Sequence, residues 1–404
     1  MKFSLKGSKL KEEKIIIPGS KSESNRLLIL KSLYKNLSLE NLSNSDDTNH
    51  LFEAIQDKNK IIKIGHAGTA MRFLTSLLAL ETKKAIELRG SKRMHNRPIK
   101  ILVDSLKKIG ANIDYLDKYG FPPLLIKTSI LTGRKLSVES SVSSQYISSL
   151  LLIAPKIKGG LEIELLGKET SLPYINMTIR LLKEIGVCVN FHNNIIKVKE
   201  LQKIKPVKIL IESDWSSASY YYSVVAMADI GYTLALMSYK NNSIQGDSEI
   251  SEIFKLFGVQ TIFKDDQIIL KKVKKNINTI SLNLSSNPDI AQTICVTCLA
   301  LKIKCNLSGL HTLKIKETDR LVALKNEISK FNLIVNITNE SISFHNESDL
   351  ESGIEIETYD DHRMAMSFAC LAVKTNIIIC NPAVVTKSYR SFWEDFAKIG
   401  IVSQ

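Results

Sequence analysis

The chain has 404 residues, with 55 Lys and Arg against 41 Asp and Glu, a formal net charge of +14, 44% hydrophobic and 24% charged residues. That composition excludes a disordered, collagen-like or disulfide-dense chain, and the length suits two or three domains with cores of their own. No apolar run approaches the roughly 18–20 residues of a membrane helix, while the positive surplus leaves nucleic acid, a membrane surface or small anions open as partners.

The first segment, MKFSLKGSKLKEEK, lacks the apolar centre of a secretion signal, so a soluble cytosolic chain is expected. PGSKSESNR follows at 18–26: Gly19 and Ser20 leave backbone room, and Lys21 and Arg26 are placed to meet an anion. Neither G-x-x-x-x-G-K-[ST] nor G-x-G-x-x-G occurs, so nucleotide phosphate loops lose their motif. A short amphipathic unit, LFEAIQDKNKIIKIG, begins at Leu51.

From Thr69 the segment TAMRFLTSLLAL is apolar around its whole circumference, as are SQYISSLLLIAP from Ser144, SASYYYSVVAMA from Ser217, IAQTICVTCLAL from Ile290 and HRMAMSFACLAV from His362. Helices apolar on every side are buried, so these are expected at the centres of the domains. Between them recurs another pattern: an amphipathic helix, a Gly or Asn stop, and two strands joined by a polar turn. Its copies begin at Ile99, Met177, Ser251 and Leu321, and their stops, Gly110, Gly186, Gly258 and Asn332, lie about 72–76 residues apart. A further copy from Phe392 ends with the chain soon after Gly400. The architecture predicted is α+β, with repeated subdomains packing sheets around inner helices. The chain is expected to cross between domains near Pro18–Ser20 and Glu212–Asp214. That gives one domain of 1–19 with 213–404 and another of 20–212, with a ligand cleft between them.

The buried helices open on small polar residues and cations, at 65–69, 143–145, 214–217 and 360–363. Helix N-termini expose N–H groups and the positive dipole end, so several converging would trap anions. Five of only ten arginines, Arg26, Arg72, Arg97, Arg320 and Arg363, sit in such polar segments, where their planar forks suit carboxylate or phosphate. KIKETDR, 314–320, follows an apolar strand expected to end at Ile315 and opens an amphipathic helix. It places a general acid among cations, with a capping box at Thr318 as the alternative. Asn287-Pro288-Asp289 offers a second carboxylate, or a helix cap. The six cysteines fall mostly in apolar segments and read as reduced core thiols. Cys295-x-x-Cys298 has no second pair, and Asp361-His362-Arg363 has no companion ligands, so neither is assigned a metal.

Taken in order, PGSKSESNR, HAGTAMR (66–72), RP (97–98), SSQ (143–145), SLPY (171–174), DWSSASY (214–220), NPD (287–289), KIKETDRL, DDHRMAM (360–366) and KSY (387–389) resemble the 5-enolpyruvylshikimate-3-phosphate synthase family of enolpyruvyl transferases. The resemblance covers nearly the whole chain. It implies a two-domain α+β fold, each domain three βαβαββ subdomains around buried helices in an inverse α/β barrel. It also implies transfer of enolpyruvyl from phosphoenolpyruvate to shikimate 3-phosphate without metal or organic cofactor, by a cytoplasmic monomer with small anionic substrates and neither nucleic acid nor membrane as partner. By the same resemblance Lys21, Ser22, Arg26, Ser143, Ser144, Gln145, Ser171, Tyr174, Asp289 and Lys316 hold shikimate 3-phosphate. Lys21, Gly68, Arg97, Gln145, Arg320, Arg363 and Lys387 hold phosphoenolpyruvate. Asp289 is expected as base, Glu317 as acid and Lys21 as a charge stabiliser.

The chain departs from the family pattern at His66 (usually Asn), Phe73 (usually Pro), Arg390 (usually Pro) and Thr312 (usually Asn), and the segment between Asp47 and Gly65 is about twenty residues short, which removes part of one subdomain. The sister enzyme that uses a UDP-amino sugar normally carries a reactive Cys in a mobile loop. Here Cys188, expected in a core strand, is the only cysteine between Ser20 and Ser213. A nucleic-acid module would want clustered cations with exposed aromatics, whereas these lysines are dispersed.

Overall fold

The computed structural model of the chain describes residues 1–7, 9–133, 135–139, 143–167, 172–274 and 277–403. They pack into two compact units, one of Met1–Pro18 with Glu212–Gln404 and the other of Gly19–Ile211.

In chain order the helices are α1 (Lys21–Leu33), α2 (Asp46–Gln56), α3 (Gly68–Glu81), α4 (Lys100–Lys108), α5 (Ser144–Ile153), α6 (Leu172–Glu184), α7 (Trp215–Met227), α8 (Ile250–Ile253), α9 (Ala291–Ala300), α10 (Arg320–Ser329), α11 (His362–Ala369) and α12 (Phe392–Lys398). The strands repeat one arrangement, a parallel pair extended by an antiparallel hairpin. In the unit of 19–211, Ile61–Lys63 pairs in parallel with Ile86–Arg89, which carries the hairpin of Asn112–Tyr115 and Leu124–Lys127. Lys135–Glu139, Leu161–Leu166, Val189–His192 and Ile195–Val198 repeat it. Three more sheets in the other unit show the same pairing, one of them with Lys2–Gly7 and Ile401–Ser403 in place of a hairpin. In four of these sheets the parallel pair is linked by one of the buried helices, α3, α5, α9 or α11, whereas Lys14–Ile15 pairs in parallel with Thr233–Met237 from a distant part of the chain; the hairpins follow the amphipathic helices, which is the βαβαββ order.

The sixth sheet differs. Leu37–Glu40 pairs in parallel with Val207–Leu210, and among the described residues no hairpin extends it. The chain runs from the end of α2 at Gln56 through Asp57–Lys60 straight into the next strand at Ile61. The short segment read in the sequence is thus a subdomain that keeps its βαβα part and lacks its hairpin.

Apolar circumference places helices as expected: α3, α5, α7, α9 and α11 are buried along nearly their whole lengths. In one unit α7, α9 and α11 are joined by hydroxyls at equivalent positions of the repeat. Ser219 and Thr293 lie 2.9 Å apart, and Thr293 and Ser367 3.3 Å apart, each pair separated by 74 residues. One turn on, Ser223 and Thr297 repeat the contact at 2.8 Å. These buried hydroxyls satisfy one another, so the apolar helices approach closely without a polar cost. The stops Gly110, Gly186, Gly258 and Asn332 all have positive φ, as a left-handed cap requires.

Three local expectations fail. Residues His311–Ile315 form a 3-10 turn, with Ile315 45% exposed, because the strand of that repeat is Lys304–Ser308 and closes earlier. The helix expected from Ser251 reduces to the single turn of α8, and Phe254 and Phe257 turn inward at 4.8 Å centroid separation instead of continuing it. Cys188 is exposed and precedes its strand: Val187 and Val189 on either side are buried, and alternation turns Cys188 outward. No helix among the described residues is long and apolar enough to cross a membrane.

Candidate active site

In the unit of 212–404, the starts of α7, α9, α10 and α11 carry the polar residues singled out in the sequence. Asp289 lies in the 3-10 turn Pro288–Ile290 that leads into α9, and Glu317 just ahead of α10, whose cap is Asp319 rather than Thr318. The first residue of α10, Arg320, is 1% exposed and binds both carboxylates, with Nη1 on Asp289 Oδ1 at 3.1 Å and Nη2 on Glu317 Oε2 at 2.9 Å. Its remaining edge grips Asp361, Nε donating to Oδ2 at 2.7 Å and Nη2 to Oδ1 at 3.2 Å. Asp361 also caps α11, accepting from the Arg363 backbone N–H at 2.9 Å.

Three further cations close on the pair. Arg363 Nη2 donates to Asp289 Oδ2 at 3.0 Å, Lys316 Nζ stands 3.4 Å from Asp289 Oδ1, and Lys387 Nζ stands 2.9 Å from Glu317 Oε1. Burial alone would raise the Asp289 carboxyl, but Arg363, Lys316 and Arg320 outweigh it and hold the group well below the usual carboxylate range. Burial likewise works against the Arg320 charge, and Asp361, Glu317 and Asp289 overcome it, so its pKa lies above the ordinary arginine value. This unit therefore presents two carboxylates joined by one buried guanidinium and fringed by three cations that small anions would claim.

The unit of 19–211 gathers a second set. Ser20 caps α1, Lys21 is its first residue, and Lys21 Nζ lies 3.2 Å from Asp47 Oδ2 in the first turn of α2. One turn into α1, Arg26 is 3% exposed. Its Nε donates to Thr178 Oγ1 at 2.7 Å, its Nη1 to the Ser22 carbonyl at 2.8 Å, and its Nη2 to Ser148 Oγ at 3.1 Å and the Tyr174 carbonyl at 3.3 Å. The Phe73 and Tyr174 rings lie 5.5 and 5.9 Å from its guanidinium carbon. The departure at Phe73 thus has a use, a buried aromatic wall beside Arg26.

Gly68, the first residue of α3, lies against Arg97: a Cβ there would stand 2.3 Å from Nη1. The room left at Gly68 is filled by that guanidinium. Gly19 likewise makes room for backbone, since a Cβ would meet the Asn41 carbonyl at 1.8 Å. Arg72 is a tie, its Nη1 donating to the Gly68 carbonyl and its Nη2 to Pro98, each at 3.0 Å. Gln145 Nε2 reaches Thr69 Oγ1 at 3.4 Å, Ser143 caps α5 by accepting from the Gln145 N–H, and Ser144 is buried. Ser171 lies outside the described residues. His66 is exposed, its ring 6.3 Å from His50 and edge-on to it, Arg390 is exposed, and Thr312 is buried with no hydrogen bond to its hydroxyl.

Sequence reasoning missed Asp361 and Asp47. Each opens a helix and reads as a cap, and each also holds a cation 41 or 26 residues away. It missed α1 as an inner helix too, because Glu23, Ser24, Asn25 and Arg26 are polar yet buried. Among the described residues no group of three His, Cys, Asp or Glu stands where it could hold a metal ion.

Residues 53–396 match the family model described as EPSP synthase (3-phosphoshikimate 1-carboxyvinyltransferase). A 3-phosphoshikimate 1-carboxyvinyltransferase of Bacteroides fragilis (strain YCH46) is 41% identical over 390 residues, which cover 96% of this chain and 95% of that protein. Its counterpart in Histophilus somni (strain 2336) is 35% identical over 419 residues, 95% of this chain and 96% of that one. The solved structure of EPSP synthase from Acinetobacter baumannii shares the fold, with a TM-score of 0.81 at 22% identity over 100% of this chain and 99% of that one. With the motifs, the repeated βαβαββ subdomains and these relatives in agreement, the chain belongs to the EPSP synthase family.

Proposed function

We propose that this chain transfers the enolpyruvyl group of phosphoenolpyruvate to the 5-hydroxyl of shikimate 3-phosphate and releases phosphate. The observation that carries the reading is the pair Asp289 and Glu317, bridged by Arg320 and ringed by Lys316, Arg363 and Lys387. The reaction needs a base for the hydroxyl proton and an acid for the methylene carbon, then the reverse of both as the tetrahedral adduct expels phosphate. Asp289 acts as base and Glu317 as acid. With its pKa held low by cations, Asp289 is a poor base before substrate binds. Anions that draw Arg363 and Lys316 onto themselves release that restraint, so its basicity rises as the site fills.

Shikimate 3-phosphate takes Lys21, Ser22, Arg26, Ser143, Ser144, Gln145, Ser171, Tyr174, Asp289 and Lys316. Phosphoenolpyruvate takes Lys21, Gly68, Arg97 and Gln145 with Arg320, Arg363 and Lys387, and Lys21 stabilises developing charge. Arg26 supports the first assignment, since a buried guanidinium with neutral hydrogen-bond partners retains its charge for an anion. The reaction as written uses side chains alone, and the chain works as a cytoplasmic monomer with small anions as its partners.

The test is phosphate release by the purified full-length chain given both substrates, with each omitted in turn. Release that requires both is expected. Release from phosphoenolpyruvate alone, or none from folded protein, overturns the reading.

A further inference from the structure

Beside the Asp289–Arg363 pair lies a carboxyl group for which the reaction above has no use. Asp247, in the 3-10 turn Gly246–Glu249, is 4% exposed, and its Oδ1 is buried with no hydrogen-bond partner among the described residues. The other oxygen, Oδ2, accepts a short hydrogen bond from Ser216 Oγ in the first turn of α7. A serine hydroxyl has one proton to give. With that proton committed to Asp247, the Ser216 oxygen offers its lone pairs, and Arg363 Nη2 donates to it at 3.3 Å. The same Nη2 donates to Asp289 Oδ2 at 3.0 Å. Arg363 is thus held between two carboxylates, one in direct contact and one acting through a hydroxyl.

The two contacts fare differently during turnover. When Asp289 takes up the hydroxyl proton it loses its charge, and its hold on Arg363 falls to that of a neutral hydrogen bond. The contact through Ser216 keeps its full polarity, because Asp247 is not asked to accept that proton. Resting on the function proposed above, we infer that Asp247 is a positioning residue, which through the Ser216 hydroxyl keeps the Arg363 guanidinium aimed at phosphoenolpyruvate while Asp289 is protonated.

The charged groups facing Asp247 are Asp289 from the turn before α9, Arg363 from α11 and Asp214 from the cap of α7. Burial and the Asp289 charge push its carboxyl up to about 6, against the pull of Arg363 and the Ser216 hydrogen bond. The sign follows: as pH falls through that value Asp247 gains a proton, Ser216 ceases to be polarised, and the hold on Arg363 weakens. Activity therefore falls on the acid side.

The experiment measures kcat and KM for each substrate from about pH 5 to pH 9 in wild type, Asp247→Asn, Ser216→Ala and Ser216→Thr. Asp247→Asn and Ser216→Ala are each expected to lose about 10–100-fold in kcat/KM for phosphoenolpyruvate, as small misplacements of a catalytic group do, with KM for shikimate 3-phosphate unchanged. Asp247→Asn is also expected to lose the acid limb, and Ser216→Thr to restore what Ser216→Ala loses. A role in folding alone would move none of these selectively, and the Ser216 variants keep the test open should Asp247→Asn fail to fold. Wild-type kinetics and an unaltered acid limb in Asp247→Asn, or a Ser216→Ala variant equal to wild type, would overturn the inference. An inactive wild type overturns the proposed function instead, so the two failures are told apart.

Discussion

Arg26 and Arg320 are both buried guanidiniums within two turns of a helix start, yet their surroundings are opposite. Arg320 meets three carboxylates, Asp361, Asp289 and Glu317. Arg26 meets two hydroxyls, two carbonyls and two aromatic faces, all neutral. Burial brings Arg26 down to about 10, with Tyr174 and Glu23 opposing that fall. It stays charged at neutral pH with no carboxylate hydrogen-bonded to it. On the proposed function the difference separates two tasks a sequence cannot separate: Arg320 joins the acid–base pair, whereas Arg26 meets an anion from outside.

Substitutions sharpen or break this contrast. Arg320→Met removes the fork from buried Asp361 and half-buried Asp289 and Glu317 at once and is expected to cost about 3–5 kcal/mol of stability, the range for breaking a buried ion pair, read from urea unfolding. A loss below about 1 kcal/mol would mean that the cluster does not depend on Arg320. Arg26→Lys keeps the charge and loses the fork. Titration calorimetry should show shikimate 3-phosphate bound about 10–100-fold more weakly, with stability reduced only by the neutral hydrogen bonds lost, roughly 1–2 kcal/mol. Undiminished affinity would remove Arg26 from the substrate set. The smallest effect is expected at Gly68→Ala. The added methyl meets the mobile end of Arg97 rather than backbone, so the guanidinium swings aside. KM for phosphoenolpyruvate then rises about tenfold while the start of α3 gains about 0.5–1 kcal/mol. A KM left unchanged would detach Arg97 from that substrate.

Much of the fold was legible because it is periodic. The spacing of left-handed stops and the apolar circumference of α3, α5, α7, α9 and α11 are local properties, and α7, α9 and α11 meet at hydroxyls 74 residues apart because the repeat brings equivalent positions to one axis. Among the candidate residues Asp289, Lys316, Glu317, Arg320, Arg363 and Lys387 come together, yet the residue that orders Arg320, Asp361, was read only as part of a helix start. Its second role is a pairing across 41 residues, which no window along the chain contains. The same holds for Asp47 on Lys21. Helix α1 escaped notice for another reason: its buried face carries Ser24, Asn25 and Arg26, of which Ser24 and Arg26 are hydrogen-bonded by other segments, so hydropathy reads it as surface. Cys188 stands one residue before its strand and faces outward between buried Val187 and Val189, and Ile315 lies in a 3-10 turn beyond the strand that ends at Ser308.

The proposed reaction divides its labour, substrate grip falling to Lys21 and Arg26 and proton transfer to Asp289 and Glu317. Its most direct test is phosphate release by Asp289→Asn and Glu317→Gln at saturating substrates, set beside thermal stabilisation of the same variants by shikimate 3-phosphate. The expected result is release slowed about 10²–10⁴-fold, the usual worth of a general acid or base, in proteins that shikimate 3-phosphate still stabilises. Release near the wild-type rate in either variant would contradict it.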